Sequence, residues 1–501
     1  MSFILALDQG TSSSRALVYN AQGHVLAQAQ ELFDMQFPAD GWVEQDAQDI
    51  WGTIERTARQ ALRDSGIQPH EIAGIGITNQ RETTLVWDRA TGETIYPAIV
   101  WQDGRTAAFC AELGPQKLGD QTVQDYVQAH TGLLVDPYFS GTKVKWILDH
   151  VQGSRARARN GELCFGTVDS YLIWRLTGGA VHRTDATNAS RTMLFDIHRQ
   201  CWDATLLELL DIPPEMLPEV VDSAGLFGTT ETALLGAAIP ITGVAGDQQS
   251  ALIGQGCFNP GQSKSTYGTG CFVMTNTGTK APRSEQKLLT TVAYRIAGEA
   301  TYALEGSIFV AGVAIKWLRD SLGLIADAAE TQAAFERTGG DTGGVYVVPA
   351  FTGLGAPYWQ PDARGLIAGL TLDTGRDHLI TATLQAVAFQ TAELLEAMAA
   401  DGAPVAELRV DGGMVVNDAF CQFLADVLSI SVLRPQDIET TALGAGVLAA
   451  LGAGLFDDLP AAGGTWQLDH HFQTAMDPSQ RDVLKAGYAR AVAQVRAPLT
   501  Q

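Results

Sequence analysis

No apolar run in this chain comes near the roughly 20 residues that a membrane-crossing helix needs, and no basic segment precedes the short apolar stretch at 3–7. The sequence therefore reads as a cytoplasmic protein with no membrane insertion. Its six cysteines (Cys110, Cys164, Cys201, Cys257, Cys271 and Cys421) form no Cys-x-x-Cys pair, which argues against a zinc site or a disulfide framework. The nine histidines include no His-Glu-x-x-His, and the adjacent His470 and His471 tend to point apart. Basic residues are few. Against 56 acidic side chains there are 33 Lys and Arg, a net charge of −23, so no nucleic-acid partner is expected. A Walker motif is missing as well, since Lys264-Ser265 lacks the glycine that should precede it, and protein-kinase signatures are absent.

What remains is a chain of 501 residues, 46% hydrophobic, long enough for two domains that each bury a full core. Asp8-Gln9-Gly10-Thr11-Ser12-Ser13-Ser14-Arg15 sits between two apolar runs, 3–7 and 16–19, with a third strand over 24–30. It reads as the tip of a tight hairpin with a composition suited to polyphosphate. Gly10 lets backbone N–H groups approach an anion, Thr11 to Ser14 add hydroxyls, and Arg15 adds a forked cation. Asp8 can hold Mg2+. As an isolated feature, the same stretch would also serve as a solvated turn.

Polar clusters then recur at strand ends, the site edge of open α/β sheets. A helix over 46–62 precedes the strand 72–77, which runs into Thr78-Asn79-Gln80-Arg81-Glu82-Thr83; the strand at 99–100 stops at Trp101-Gln102-Asp103. The strand 241–245 closes in Gly246-Asp247-Gln248-Gln249 before a helix over 250–255. A second strand–turn–strand unit, 264–267, Gly268-Thr269-Gly270 and 271–276, echoes the opening hairpin. The strand 408–410, Asp411-Gly412-Gly413 and a helix from Asn417 follow. The pattern predicts two α/β halves, 1–254 and 255–501, each opening with a Gly/Thr hairpin and facing each other across a nucleotide cleft.

These stretches, together with Tyr138-Phe139-Ser140-Gly141-Thr142-Lys143 and Gly355-Ala356-Pro357-Tyr358-Trp359, resemble the FGGY carbohydrate kinase family over nearly the whole chain. Any one motif would be weak; eight in the same order are specific. The resemblance implies an α/β fold of two actin-like (ribonuclease H-like) ATPase domains around a central cleft. It also implies ATP-dependent phosphorylation of glycerol with Mg2+, ADP as product, and a homodimer or homotetramer; the near alternative is another small polyol such as erythritol. By matching position, Asp247 is the expected catalytic base. Arg81, Glu82, Trp101, Tyr138, Asp247, Gln248 and Phe272 are expected around the triol. Thr11, Ser12, Ser13, Arg15, Thr269, Gly312, Lys316, Gly413 and Asn417 are expected at the nucleotide, and Asp8 near the metal. Lys316 departs from the pattern, standing where members that act on glycerol often carry Gln.

Overall fold

In the computed structural model, residues 2–360, 362–464 and 466–497 are described. Two sheets organise them. The first has six strands: β1 (Phe3–Gln9), β2 (Ser13–Tyr19), β3 (Val25–Leu32), β4 (Ile72–Asn79), β5 (Ala224–Thr229) and β6 (Pro240–Gly246), in the order β5-β6-β4-β1-β2-β3. β1, β2 and β3 form an antiparallel meander, while β4 pairs parallel with both β1 and β6.

The second sheet repeats that plan. It contains β7 (Ser263–Tyr267), β8 (Cys271–Gly278), β9 (Leu289–Ile296), β10 (Glu299–Ile308), β11 (Glu407–Asp411), β12 (Ser431–Pro435) and β13 (Leu468–Phe472). Their order is β9-β10-β8-β7-β11-β12-β13, with β7, β11 and β12 parallel. β9 is the one strand added at the edge. Both expected hairpins are thus present, β1–β2 and β7–β8.

β1 is buried on both faces, and its alternation decides what covers each. Leu5 and Leu7 pack with helix α1 (Ala47–Ser65) and helix α2 (Val168–Leu176). Ile4 and Ala6 pack instead with two helices between the sheets, α3 (Asp247–Gly254) and, far along the chain, α6 (Thr440–Gly452). Ile50, Ile54, Ala58 and Leu62 give α1 its buried stripe; Asp46 caps its start through the Gln48 amide, 2.8 Å away, and Gly66 ends it at φ 70°.

The outer face of the second sheet is covered by α4 (Arg376–Ala400), α5 (Asp418–Leu428) and α7 (Pro478–Arg496). The α3–α6 crossing is close because its contact points lack side chains. A Cβ on Gly444 would come within 1.8 Å of the Ser250 carbonyl oxygen, and one on Gly254 within 2.0 Å of that of Thr440. Among the described residues, no helix is long and apolar enough to cross a membrane.

Candidate active site

Helix α3 begins at Asp247 itself, three residues earlier than the sequence pattern suggests. An acidic residue in the first turn interacts favourably with the helix dipole, so the polar Asp-Gln-Gln run enters the helix rather than remaining a turn. The Asp247 side chain is 30% exposed, open to a ligand from the cleft. Its Oδ1 accepts from the Gln248 amide at 2.7 Å and lies 3.3 Å from Nε of Arg81; its Oδ2 accepts from Gln248 Nε2 at 3.2 Å.

Arg81 is itself pinned. Glu305, reaching across from β10 of the second sheet, accepts from both of its terminal nitrogens, at 2.6 and 2.9 Å. Arg191 completes a buried square of charges, donating to Glu82 at 2.6 Å and to Glu305 at 3.1 Å. Burial opposes ionisation of Glu305, but the two guanidiniums prevail and hold it down to about 2. For Glu82, burial wins and its carboxyl is pushed up. Glu82 also has φ 59°, a left-handed conformation unusual for a side-chain-bearing residue, which aims it into this cluster.

Three rings border these charges. Trp101 lies edge-on to Tyr138, with centroids 5.7 Å apart, and to Phe272 of β8 at 6.3 Å. Wall and charge cluster adjoin, since the Arg191 guanidinium carbon lies 5.7 Å from the centroid of the Tyr138 ring. Lys143, buried and pushed down to about 8, donates to the Tyr138 carbonyl at 2.5 Å and fixes that corner. All seven residues expected around the triol thus converge from both halves of the chain.

A cavity of about 700 Å³ opens on the second half, lined by Thr269, Gly312, Lys316, Gly413 and Asn417 among others. The expected nucleotide residues of the second half are therefore together. Gly312 lies against the β7–β8 turn, where a Cβ would meet the Gly268 carbonyl oxygen at 2.5 Å. Asn417 contributes wall more than hydrogen bonds: its Oδ1 caps α5 at the Phe420 amide and its Nδ2 donates to Thr331. The exposed Lys316 stays on the cavity rim, with Arg319 beside it.

From the first half, Thr11 and Ser12 form the β1–β2 turn and Ser13 opens β2, all outside the lining of that cavity. Thr11 Oγ1 accepts from the Trp101 indole at 3.0 Å, tying the turn to the ring wall. Arg15 reaches across the cleft to Glu439, just before α6. Asp8 is buried, and its carboxyl is pushed up to about 7 by that burial and by the nearby Asp247 and Glu439, with Arg15 acting against them. Asp8 offers a buried carboxylate oxygen, the ligand type a hard divalent cation takes. Elsewhere His130, Asp196 and Asp203 converge, but the Arg199 guanidinium binds both carboxylates, at 2.7 and 2.9 Å, and supplies the cation there.

Arg191 and Glu305 belong to none of the sequence motifs, and Lys264 reads in the sequence only as part of an incomplete Walker motif. Glu305 carried a signal: a lone acid in the apolar strand Ala303-Leu304-Glu305-Gly306 has to be paired. Arg191 carried none, because its partners lie far away in sequence.

Profiles for the N-terminal and C-terminal domains of the FGGY family of carbohydrate kinases match residues 3–254 and 264–453. The chain belongs to that family. Among relatives of this FGGY kinase, the glycerol kinase of Ectopseudomonas mendocina is 58% identical over 495 residues, 99% of each chain. Glycerol kinase 1 of Pseudomonas aeruginosa is 57% identical over 494 residues, again 99% of each. The crystal structure of Plasmodium falciparum glycerol kinase with ADP superposes with a TM-score of 0.92 at 34% identity, covering 100% of this FGGY kinase and 99% of that chain. The actin-like ATPase fold and the phosphotransferase class expected from the motifs both stand.

Proposed function

We propose that this FGGY kinase transfers the γ-phosphoryl group of ATP to a terminal hydroxyl of glycerol, giving sn-glycerol 3-phosphate and ADP. The observation that carries this reading is the part-exposed Asp247 carboxylate, steered by the buried Arg81 beside a wall of three rings. Full-length relatives named glycerol kinase support the choice of alcohol. A triol needs fixed donors and acceptors at its hydroxyls and apolar surface at its carbons. Arg81, Glu82, Tyr138 and Gln248 supply the first; Trp101 and Phe272 supply the second.

Asp247 takes the hydroxyl proton as the new oxygen–phosphorus bond forms, while the bond from the γ-phosphorus to the bridging oxygen breaks and ADP leaves. The Gly/Thr turns of β1–β2 and β7–β8 grip the phosphates from opposite sides, and the cavity beside Gly312 and Asn417 receives the nucleoside. Asp8 would hold Mg2+, which neutralises charge on the phosphates when bound. Docking of the two halves around the substrates excludes water as a competing acceptor.

The test is ADP release by the purified enzyme with ATP, Mg2+ and a panel of three- to five-carbon polyols including erythritol. Glycerol is expected to give the highest kcat/KM. A preference for a longer polyol would move the substrate assignment, and ADP release independent of any polyol would overturn the reading.

A further inference from the structure

Lys264, on β7, is fully buried, yet it forms no ion pair with a carboxylate among the described residues. Its Nζ donates to Gln248 Oε1 and, at 2.9 Å, to Thr266 Oγ1. Both partners are neutral. Burying an ammonium is costly unless charge is returned nearby. Burial pushes the ammonium down from the usual lysine range, and Asp411, Asp247 and Glu305 around it return only part of that cost, with Arg81 opposing. A methionine would fill the same space without that cost, so the charge calls for a use beyond packing.

The geometry supplies that use. Gln248 has two ends: its oxygen is taken by Lys264, which fixes the amide orientation and turns its nitrogen toward Asp247 Oδ2, 3.2 Å away. Lys264 belongs to the second sheet, whereas Asp247 and Gln248 open the helix that follows the first. We infer that Lys264 is a positioning residue for phosphoryl transfer, holding Gln248 across the boundary between the halves so that the Asp247 carboxylate faces the attacking hydroxyl. The inference rests on Asp247 being the base. It assigns Lys264 no direct contact with glycerol or with the nucleotide.

The experiment is steady-state kinetics on Lys264→Met, Gln248→Ala, the double variant and Lys264→Arg. Wild-type activity with ATP and glycerol comes first, because its absence would sink the underlying reading rather than this one. With that activity present, Lys264→Met is expected to lose at least about tenfold in kcat, with the KM for ATP within about threefold. The double variant is expected to be no slower than the slower single variant, because the lysine acts through the glutamine. Lys264→Arg, which keeps the cation, is expected to recover most of the loss. Unchanged kcat in Lys264→Met, a loss confined to the KM for ATP, or multiplying losses in the double variant would each overturn the assignment. If Lys264→Met does not fold, Lys264→Gln gives the same readout.

Discussion

Asp247→Asn keeps the shape of the side chain and removes its basicity, so it isolates proton transfer from everything else the residue does. It is expected to lower kcat by about 100- to 10,000-fold, with glycerol affinity retained in an equilibrium titration. Turnover within tenfold of wild type would remove the base from the mechanism. Asp247 was legible in the sequence because a Gly-Asp step between an apolar strand and a helix is a local pattern. Arg81 and Glu82 were legible for the same reason. Their partners were not: Glu305 lies 224 residues from Arg81, and Arg191 lies 109 from Glu82, so only the folded chain brings the four charges together. The square also changes what Arg81 is. It is more than a substrate clamp, because the same guanidinium fixes a carboxylate from the opposite sheet and lies beside the base.

Individual elements differ in how plainly they announced themselves. α1 showed its period, since it buries one stripe, and β1 showed itself as a short apolar run buried on both faces. α4 and α6 did not. Sixteen of the 25 residues of α4 are buried, and α6 is buried nearly all round between the sheets, so neither shows a polar face in its sequence. One polar residue on α4 makes a pH test. Glu393 accepts from Tyr358 Oη at 2.7 Å, and burial pushes its carboxyl up to about 7. A carboxyl raised in the folded state stabilises fully below its ordinary value, near 4.5, and loses that contribution as pH climbs through about 7. Glu393→Gln stays neutral throughout. Relative to wild type it is expected to gain about 1–3 kcal/mol between pH 5 and 8, read from denaturant midpoints at each pH. A stability difference that is flat across that range would contradict the assignment.

At the scale of the whole molecule, the two halves meet along a seam built from absent side chains. Gly444→Ala places a methyl group against the Ser250 carbonyl and forces α3 and α6 apart. It is expected to destabilise the protein by about 1–3 kcal/mol, measurable as a lowered Tm. A Tm equal to that of wild type would mean that the crossing tolerates more separation than this packing allows. The repeated plan of the two sheets was visible in the paired hairpin motifs. The place of α6 was not, because nothing local says that a helix following β12 of the second sheet will lie on the first.

That crossing limits how the chain can be divided. A fragment ending at residue 254 would contain every strand of the first sheet and α3, yet the side carrying Ile4 and Ala6 would lose α6 and be left partly wet. The unit recognisable in the sequence is therefore smaller than the unit able to stand alone, and synthesis must pass residue 452 before the opening strands acquire the whole of their second cover.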